Sequence, residues 1–283
     1  GSIGFVYHFL ETFFTKMNVS RGFRAPNIAE ISANGVHEGT VRYIIGVPSL
    51  KPETSMQLDY ALGLNSEHIT AEIDIFNNFI NDFIFLSKIK NVSGGDSLTD
   101  GFTTFKYASG NANLSGGEVS VDIHPCPLDW LHLENSFSYI SAIQKNASDS
   151  TKYLPFTPAP KISSDLRADI KKAGKNLKNI YIKVGVDNYF VQDKFYSAFG
   201  TETKTPAYTL INFGTGTDFV CGDNIICSLY ISVNNLLDVG YKNHLSRLKY
   251  CTQNYATGRT GVYNIGRNIS AKFLVPINIK KAK

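Results

Sequence analysis

Read two residues at a time, the chain alternates apolar and polar side chains through segment after segment, and its connections run short and long by turns. Over residues 56–64, one face carries Met56, Leu58, Tyr60, Leu62 and Leu64; the other carries Gln57, Asp59, Ala61 and Gly63. Over 69–85, Ile69, Ala71, Ile73, Ile75, Phe79, Phe83 and Phe85 oppose Thr70, Glu72, Asp74, Asn78 and Asp82. Successive side chains of a strand point to opposite faces, so each segment has a greasy flank and a wet one. Lipid offers the backbone no hydrogen-bond partner, and only helices and closed barrels meet that constraint. Long dyad strands with alternating loop lengths are the barrel solution. The expected fold is therefore all-β, an antiparallel up-and-down transmembrane β-barrel.

The dyad predicts about ten strands, over 5–19, 55–64, 69–86, 105–123, 128–142, 161–170, 178–191, 206–219, 225–235 and 262–275. Short connections fall at 65–68, 124–127, 171–177 and 222–224; long ones fall at 21–54, 87–104, 143–160, 192–205 and 236–261. Periplasmic turns of outer-membrane barrels are short and their extracellular loops long, so the rhythm also orients the chain. A soluble β-sandwich alternates polar and apolar residues too. Its strands, however, average ~5–6 residues, and a Greek key gives no reason for strict loop alternation. Tyr139, Tyr189, Phe190, Tyr208 and Phe273 lie near strand ends, where aromatic girdles sit.

Composition excludes several other classes. Hydrophobic residues make up 43% of the chain, and they never gather into the ~18-residue run of a membrane helix. The net charge of +4 is not concentrated into a basic stripe, so no nucleic-acid partner is expected. Lys171, Lys172, Lys175 and Lys178 cluster around Gly174 in one short turn. Cys126, Cys221, Cys227 and Cys251 lack zinc-type spacing. Cys221 and Cys227 flank a Gly-Asp-Asn turn, which leaves both a disulfide and free thiols open. Ser, His and Asp occur without a nucleophile elbow, a His-Glu-x-x-His helix or a P-loop, so neither enzyme chemistry nor a cofactor is expected. Asp96 and Asp100 offer oxygen ligands in a Gly-rich loop, but without EF-hand spacing.

Two boxes carry a family resemblance. One is Ser20-Arg21-Gly22-Phe23-Arg24-Ala25-Pro26-Asn27-Ile28-Ala29-Glu30; the other is Gly46-Val47-Pro48-Ser49-Leu50-Lys51-Pro52-Glu53-Thr54-Ser55. The pair resembles TonB-dependent outer-membrane receptors, which carry an Arg-Ala-Pro box followed by an Asn-Pro-x-Leu-x-Pro-Glu box. Further echoes are Asn234-Asn235-Leu236-Leu237-Asp238 and Gly266-Arg267-Asn268-Ile269, and the stretch Ala33-Asn34-Gly35-Val36-His37-Glu38-Gly39 looks like the Bacteroidetes-type branch. Pro26 and Pro52 lack a donor and fix φ, which suits them to punctuate strand ends.

The resemblance implies a bacterial outer-membrane barrel of a roughly 22-stranded, plugged type, of which residues 1–283 would be the C-terminal part. Gly1-Ser2 reads as a cloning remnant, and a chain opening inside a strand without an export leader is expected to be a piece of a longer precursor. The family's plug domain and TonB-binding segment would precede it. The implied function is uptake of a scarce solute such as a ferric chelate, haem or cobalamin. The partners would be outer-membrane lipid, a small-molecule or metal-chelate ligand, and TonB through the preceding part. A non-transporting adhesion or structural barrel, or a soluble binding module, is the alternative. An isolated fragment would expose two strand edges and is expected to pair edge to edge or close on itself.

Ligand contacts are expected in the long loops. His37, with Arg42 and Tyr43, stands where haem receptors of this family place an iron ligand. Tyr241, His244, Arg247 and Tyr250 form an aromatic–basic cluster in the last long loop, suited to carboxylates and flat ligands. Tyr153, Phe195, Tyr196 and Phe199 are further aromatic candidates.

Overall fold

The computed structural model describes residues 1–145, 147, 151–198, 202–222 and 224–277; Phe199 and the residues after Ile277 lie outside them. The elements in chain order are β1 (Ser2–Phe9), β2 (Phe13–Arg24), α1 (Ile28–Ser32), β3 (Asn34–His37), β4 (Arg42–Ile45), β5 (Glu53–Asn65) and β6 (Ile69–Lys88). They continue with β7 (Leu98–Thr99), β8 (Phe102–Ile123), β9 (Leu131–Gln144), β10 (Lys161–Ala173), β11 (Leu177–Tyr189), β12 (Tyr208–Cys221), β13 (Asn224–Asn234) and β14 (Asn268–Leu274). The main path is the antiparallel order β1-β2-β5-β6-β8-β9-β10-β11-β12-β13-β14, with β3, β4 and β7 off it. The sheet is not closed, since β1 and β14 each have one neighbour.

The expected strand over 5–19 is in fact a hairpin, β1 and β2, turning at Leu10 with φ of 55°. Phe9 and Phe13 close it, their rings stacked 5.7 Å apart. This extra short turn preserves the alternation, because the long connection 25–52 follows it. The last strand is shorter than expected, covering only Asn268–Leu274. Cys221 pairs with Asn224 and Cys227 with Phe219, so the two cysteines are not opposite one another and both are free thiols. Asp96 pairs with Lys88 at 2.7 Å.

Register aligns the apolar flanks of neighbouring strands. Phe5 pairs with Met17, Met17 with Tyr60 and Tyr60 with Ile75. Farther along, Leu133 pairs with Leu166, Leu166 with Val184, Val184 with Phe213 and Phe213 with Val233. Most of this band is exposed, Ile75 at 54% and Val184 at 45%. A continuous exposed apolar band of this extent marks a face meant for something other than water, and in a dyad sheet that something is lipid. The opposite flank is polar and internally paired: Lys16–Glu72 at 2.6 Å, Lys183–Asp165 at 2.9 Å and Lys161–Asp187 at 2.8 Å. Tyr189 and Tyr208 lie on this polar flank, stacked at 4.6 Å, rather than in a lipid girdle, while Tyr139 and Phe273 remain on the apolar one.

A bulge breaks the expected face in β6. Its register with β8 shifts between Ile80 and Phe83, with Asp82 at a φ of 54°. The extra residue reverses the alternation beyond it. Phe83 and Phe85 therefore leave the lipid flank for the polar one. Phe83 packs on the buried cluster Ala112, Ala142 and Leu154. Hydrophobic burial is otherwise sparse among the described residues, which suits a barrel wall with no sandwich core.

The two boxes meet in space. Arg24 donates to both oxygens of Glu53 at 2.8 Å and to both oxygens of Glu30 at 2.9 and 3.0 Å. Asn27 caps α1 and Glu30 reaches back to the Asn27 amide, a complete capping box. Gly46 packs against the end of α1, where a Cβ would stand 2.6 Å from the backbone nitrogens of Ser32 and Ala33. Only glycine fits that approach. The boxes thus clamp the first long loop onto the rim.

Assignment of the apolar flank to lipid makes a sharp prediction. Val184→Lys is expected to destabilise the chain folded in phospholipid by about 2–4 kcal/mol, whereas Ser136→Lys on the polar flank should change little. Denaturant unfolding from vesicles measures both; equal costs would refute the assignment.

Candidate functional site

Beyond the bulge, β6 and β8 continue as a platform under the long loops. β3 and β4 pair as a hairpin with His37 opposite Arg42, and β4 then lies parallel to β8, with Ile44 opposite Phe105. This addition carries His37 and Arg42 to one wall of a cavity of about 700 Å³. Phe85, Phe105 and Tyr107 rise from β6 and β8. Phe156, Tyr196, Arg247 and Tyr250 enter from three later loops.

Both arginines lie on aromatic rings: the Arg42 guanidinium is 4.6 Å from the Phe105 ring centre, and that of Arg247 is 4.8 Å from Phe156. Burial, and secondly the charge of Arg247, lower the Arg42 pKa from its ordinary value. Among the described residues, no carboxylate comes within ion-pair distance of either arginine. Among the described residues, the cavity therefore holds two cations that repel each other without a carboxylate at ion-pair distance. An anion between them would relieve that repulsion.

The loops are held by polar groups buried behind the cavity. Glu202, 2% exposed, accepts from the Phe156 and Tyr196 amides and lies 3.7 Å from His244 Nε2. His244, equally buried, meets Thr205 Oγ1 at 2.8 Å through Nδ1. Lys249 Nζ donates to Thr205 Oγ1 at 2.7 Å and to the Thr203 carbonyl at 3.1 Å. The Tyr250 hydroxyl accepts from the Thr203 amide at 3.0 Å. Three loops are thus tied together by charge-assisted bonds of the kind that keep buried charges tolerable. Burial, and secondly Glu202, push the Tyr196 phenol up to about 12.

Of the residues singled out in the sequence, His37, Arg42, Tyr196, Arg247 and Tyr250 line this cavity. Tyr43 instead donates to Asn34 at 3.0 Å, and Tyr153 bridges to Ile143. Tyr241 stacks on Tyr208 at 4.6 Å, His244 lies in the buried scaffold, and Phe195 is half-buried off the wall. Sequence reading missed Phe85, Phe105, Tyr107 and Phe156. The length of β6 and β8, 20 and 22 residues, is the available signal. A span of ~9–11 residues crosses a membrane, so the surplus must stand above it.

The open sheet with one apolar and one polar flank, capped by a loop-roofed cavity, defines a segment of an outer-membrane-type barrel. Residues 1–236 match the family described as TonB dependent receptor-like, beta-barrel, and the chain belongs to that family. Its members are outer-membrane transporters of Gram-negative bacteria, not enzymes. Solved structures show the same fold. A copper transporter, OprC, superposes with a TM-score of 0.71 at 15% identity, covering 96% of this chain and 38% of that one. The siderophore receptor PirA from Acinetobacter baumannii gives 0.64 at 17% identity, with coverages of 96% and 40%. The ferric enterobactin receptor PfeA from Pseudomonas aeruginosa gives 0.63 at 19% identity, with coverages of 96% and 39%. The chain spans about two fifths of the length of these structures.

Two predictions follow from the scaffold. Glu202→Ala leaves the buried Phe156 and Tyr196 amides without their acceptor, a loss on the order of 3 kcal/mol locally. Hydrogen exchange at the Phe156 and Tyr196 amides should accelerate about 100-fold, since each 1.4 kcal/mol is about tenfold. Separately, the Tyr196 pKa is raised on folding, so the folded loops favour the neutral phenol. That contribution is complete below pH 10 and is lost as pH rises toward 12. Ultraviolet titration should show one late-ionising phenol fewer in Tyr196→Phe, with the raised Tyr208 still present.

Proposed function

We propose that this chain is the C-terminal part of a TonB-dependent receptor barrel that captures an anionic, ring-bearing chelate at its long-loop face for uptake across the outer membrane. The observation that carries the reading is the pair Arg42 and Arg247, each laid on an aromatic ring and neither neutralised by a carboxylate among the described residues. Guanidinium forks match carboxylate or catecholate oxygens in pairs, and aromatic walls stack on flat rings. His37 at the rim adds an imidazole suited to iron or copper. A ferric siderophore fits this wall better than a neutral sugar or a peptide would. The solved relatives described as siderophore and ferric enterobactin receptors make the same class the natural first choice.

On this reading, a plug domain and a TonB-contacting segment belong to the preceding part of the protein and release the cargo inward. The single-neighbour edges of β1 and β14 are the seams where the remaining strands join; alone, the chain would pair through them with itself. The test is equilibrium binding of a ferric tris-catecholate to the chain in detergent. Arg42→Gln with Arg247→Gln should weaken it about 10- to 100-fold, each charged hydrogen bond being worth roughly 1.5–3 kcal/mol. Unchanged affinity in the double variant, or tighter binding of a neutral chelate, would refute the reading.

A further inference from the structure

At the opposite end of the strands, by the short turns, three of the chain's six histidines gather on the polar flank beside aspartates. Asp122 is the penultimate residue of β8, His124 follows that strand, and His132 is the second residue of β9 after the connection 124–130. Asp122 Oδ2 lies 3.0 Å from His132 Nδ1 and 3.4 Å from His124 Nδ1. One ligand atom from each of the three residues lies within 4.8 Å of the others. A tetrahedral zinc ion with bonds of about 2.0–2.1 Å sets its ligands about 3.3 Å apart. Two edges of such a tetrahedron are therefore already in place.

The hydrogen bonding at His124 is an independent pointer. Its Nε2 sits 2.8 Å from the Glu67 backbone carbonyl, an oxygen that only accepts, so Nε2 carries the hydrogen. The neutral ring then turns the lone pair of Nδ1 toward the Asp122 carboxylate. That nitrogen is buried and has no hydrogen-bond partner. Two acceptors facing each other at 3.4 Å are unfavourable unless a proton or a metal cation stands between them. A backbone carbonyl orienting the far nitrogen is also the usual second support of a metal-bound histidine. On its far side, His132 Nε2 lies 3.9 Å from Asp169 Oδ2, too long for a hydrogen bond, and Arg167 holds Asp169 at 3.0 Å.

We infer that Asp122, His124 and His132 form a three-ligand site for a divalent first-row transition ion, zinc in the first instance, with the fourth position open to water. Two imidazoles and one carboxylate suit that class and exclude calcium or magnesium as preferred occupants. The bound ion would tie the end of β8 to the start of β9 across the turn between them. This site is separate from the cavity, and its fate does not depend on the proposed cargo.

The test uses the full chain in detergent, dialysed against zinc chloride and assayed for metal content and affinity. About one tightly held zinc per chain is expected. Asp122→Ala or His132→Ala should weaken it by about 100-fold or more. His8→Ala, on β1, should retain the metal. Cobalt loading of the unaltered chain needs no variant and should give the strong visible bands of a four-coordinate site. Absence of those bands, or zinc held equally by His132→Ala, would overturn the site and leave Asp122 as a plain hydrogen-bond partner of two histidines.

Discussion

The backbone's need for hydrogen-bond partners inside lipid governs this structure. Each strand of the main path has a neighbour on both sides except β1 and β14, which have one each. Once pairing is obligatory, register is obligatory too, because a one-residue slip would turn Val184 or Ile75 from hydrocarbon to a wet interior. The polar flank reinforces that register with cross-strand ion pairs such as Lys183–Asp165 and Lys161–Asp187. Lipid contact and lumen chemistry are therefore consequences of one pairing pattern.

Above the membrane the constraint changes. Loops there have water, and order comes from buried polar groups instead of a ladder. Glu202, His244 and Lys249 are placed behind the cavity, where they bind backbone and hydroxyl groups of three loops. Glu202 and Lys249 spend their charges on these scaffold bonds. Arg42 and Arg247 are held on the faces of Phe105 and Phe156, with no carboxylate at ion-pair distance among the described residues. Paired scaffold charge and unpaired wall charge are thus kept apart among the described residues.

The family boxes have a mechanical meaning in this arrangement. Arg24 bridges Glu30 and Glu53, and Glu53 Oε1 also accepts from the Ile84 amide at 2.7 Å. Residues far apart in the chain thus fasten the first long loop to the β6 rim just beyond the bulge. At the other end, the short turn between β8 and β9 assembles its histidines around Asp122. The wall between these two ends is regular; chemistry is concentrated where strands stop.

Much of this was legible in the sequence. The dyad by itself determined the all-β class, the greasy and wet flanks, and the orientation set by short and long connections, because strand geometry converts alternation directly into faces. Arg42 and Arg247 were legible as loop cations, and His37 as a loop imidazole, for the same reason: chemistry-bearing residues stand out against a simple repeat. Tertiary structure alone decided that 5–19 is a hairpin, that the bulge at Asp82 turns Phe83 and Phe85 inward, and that His244 is scaffold rather than contact. It alone brought Arg42 to Arg247, and His124 to His132. Those outcomes depend on where the backbone inserts one residue and on how loops distant in sequence pack, and neither leaves a periodic trace.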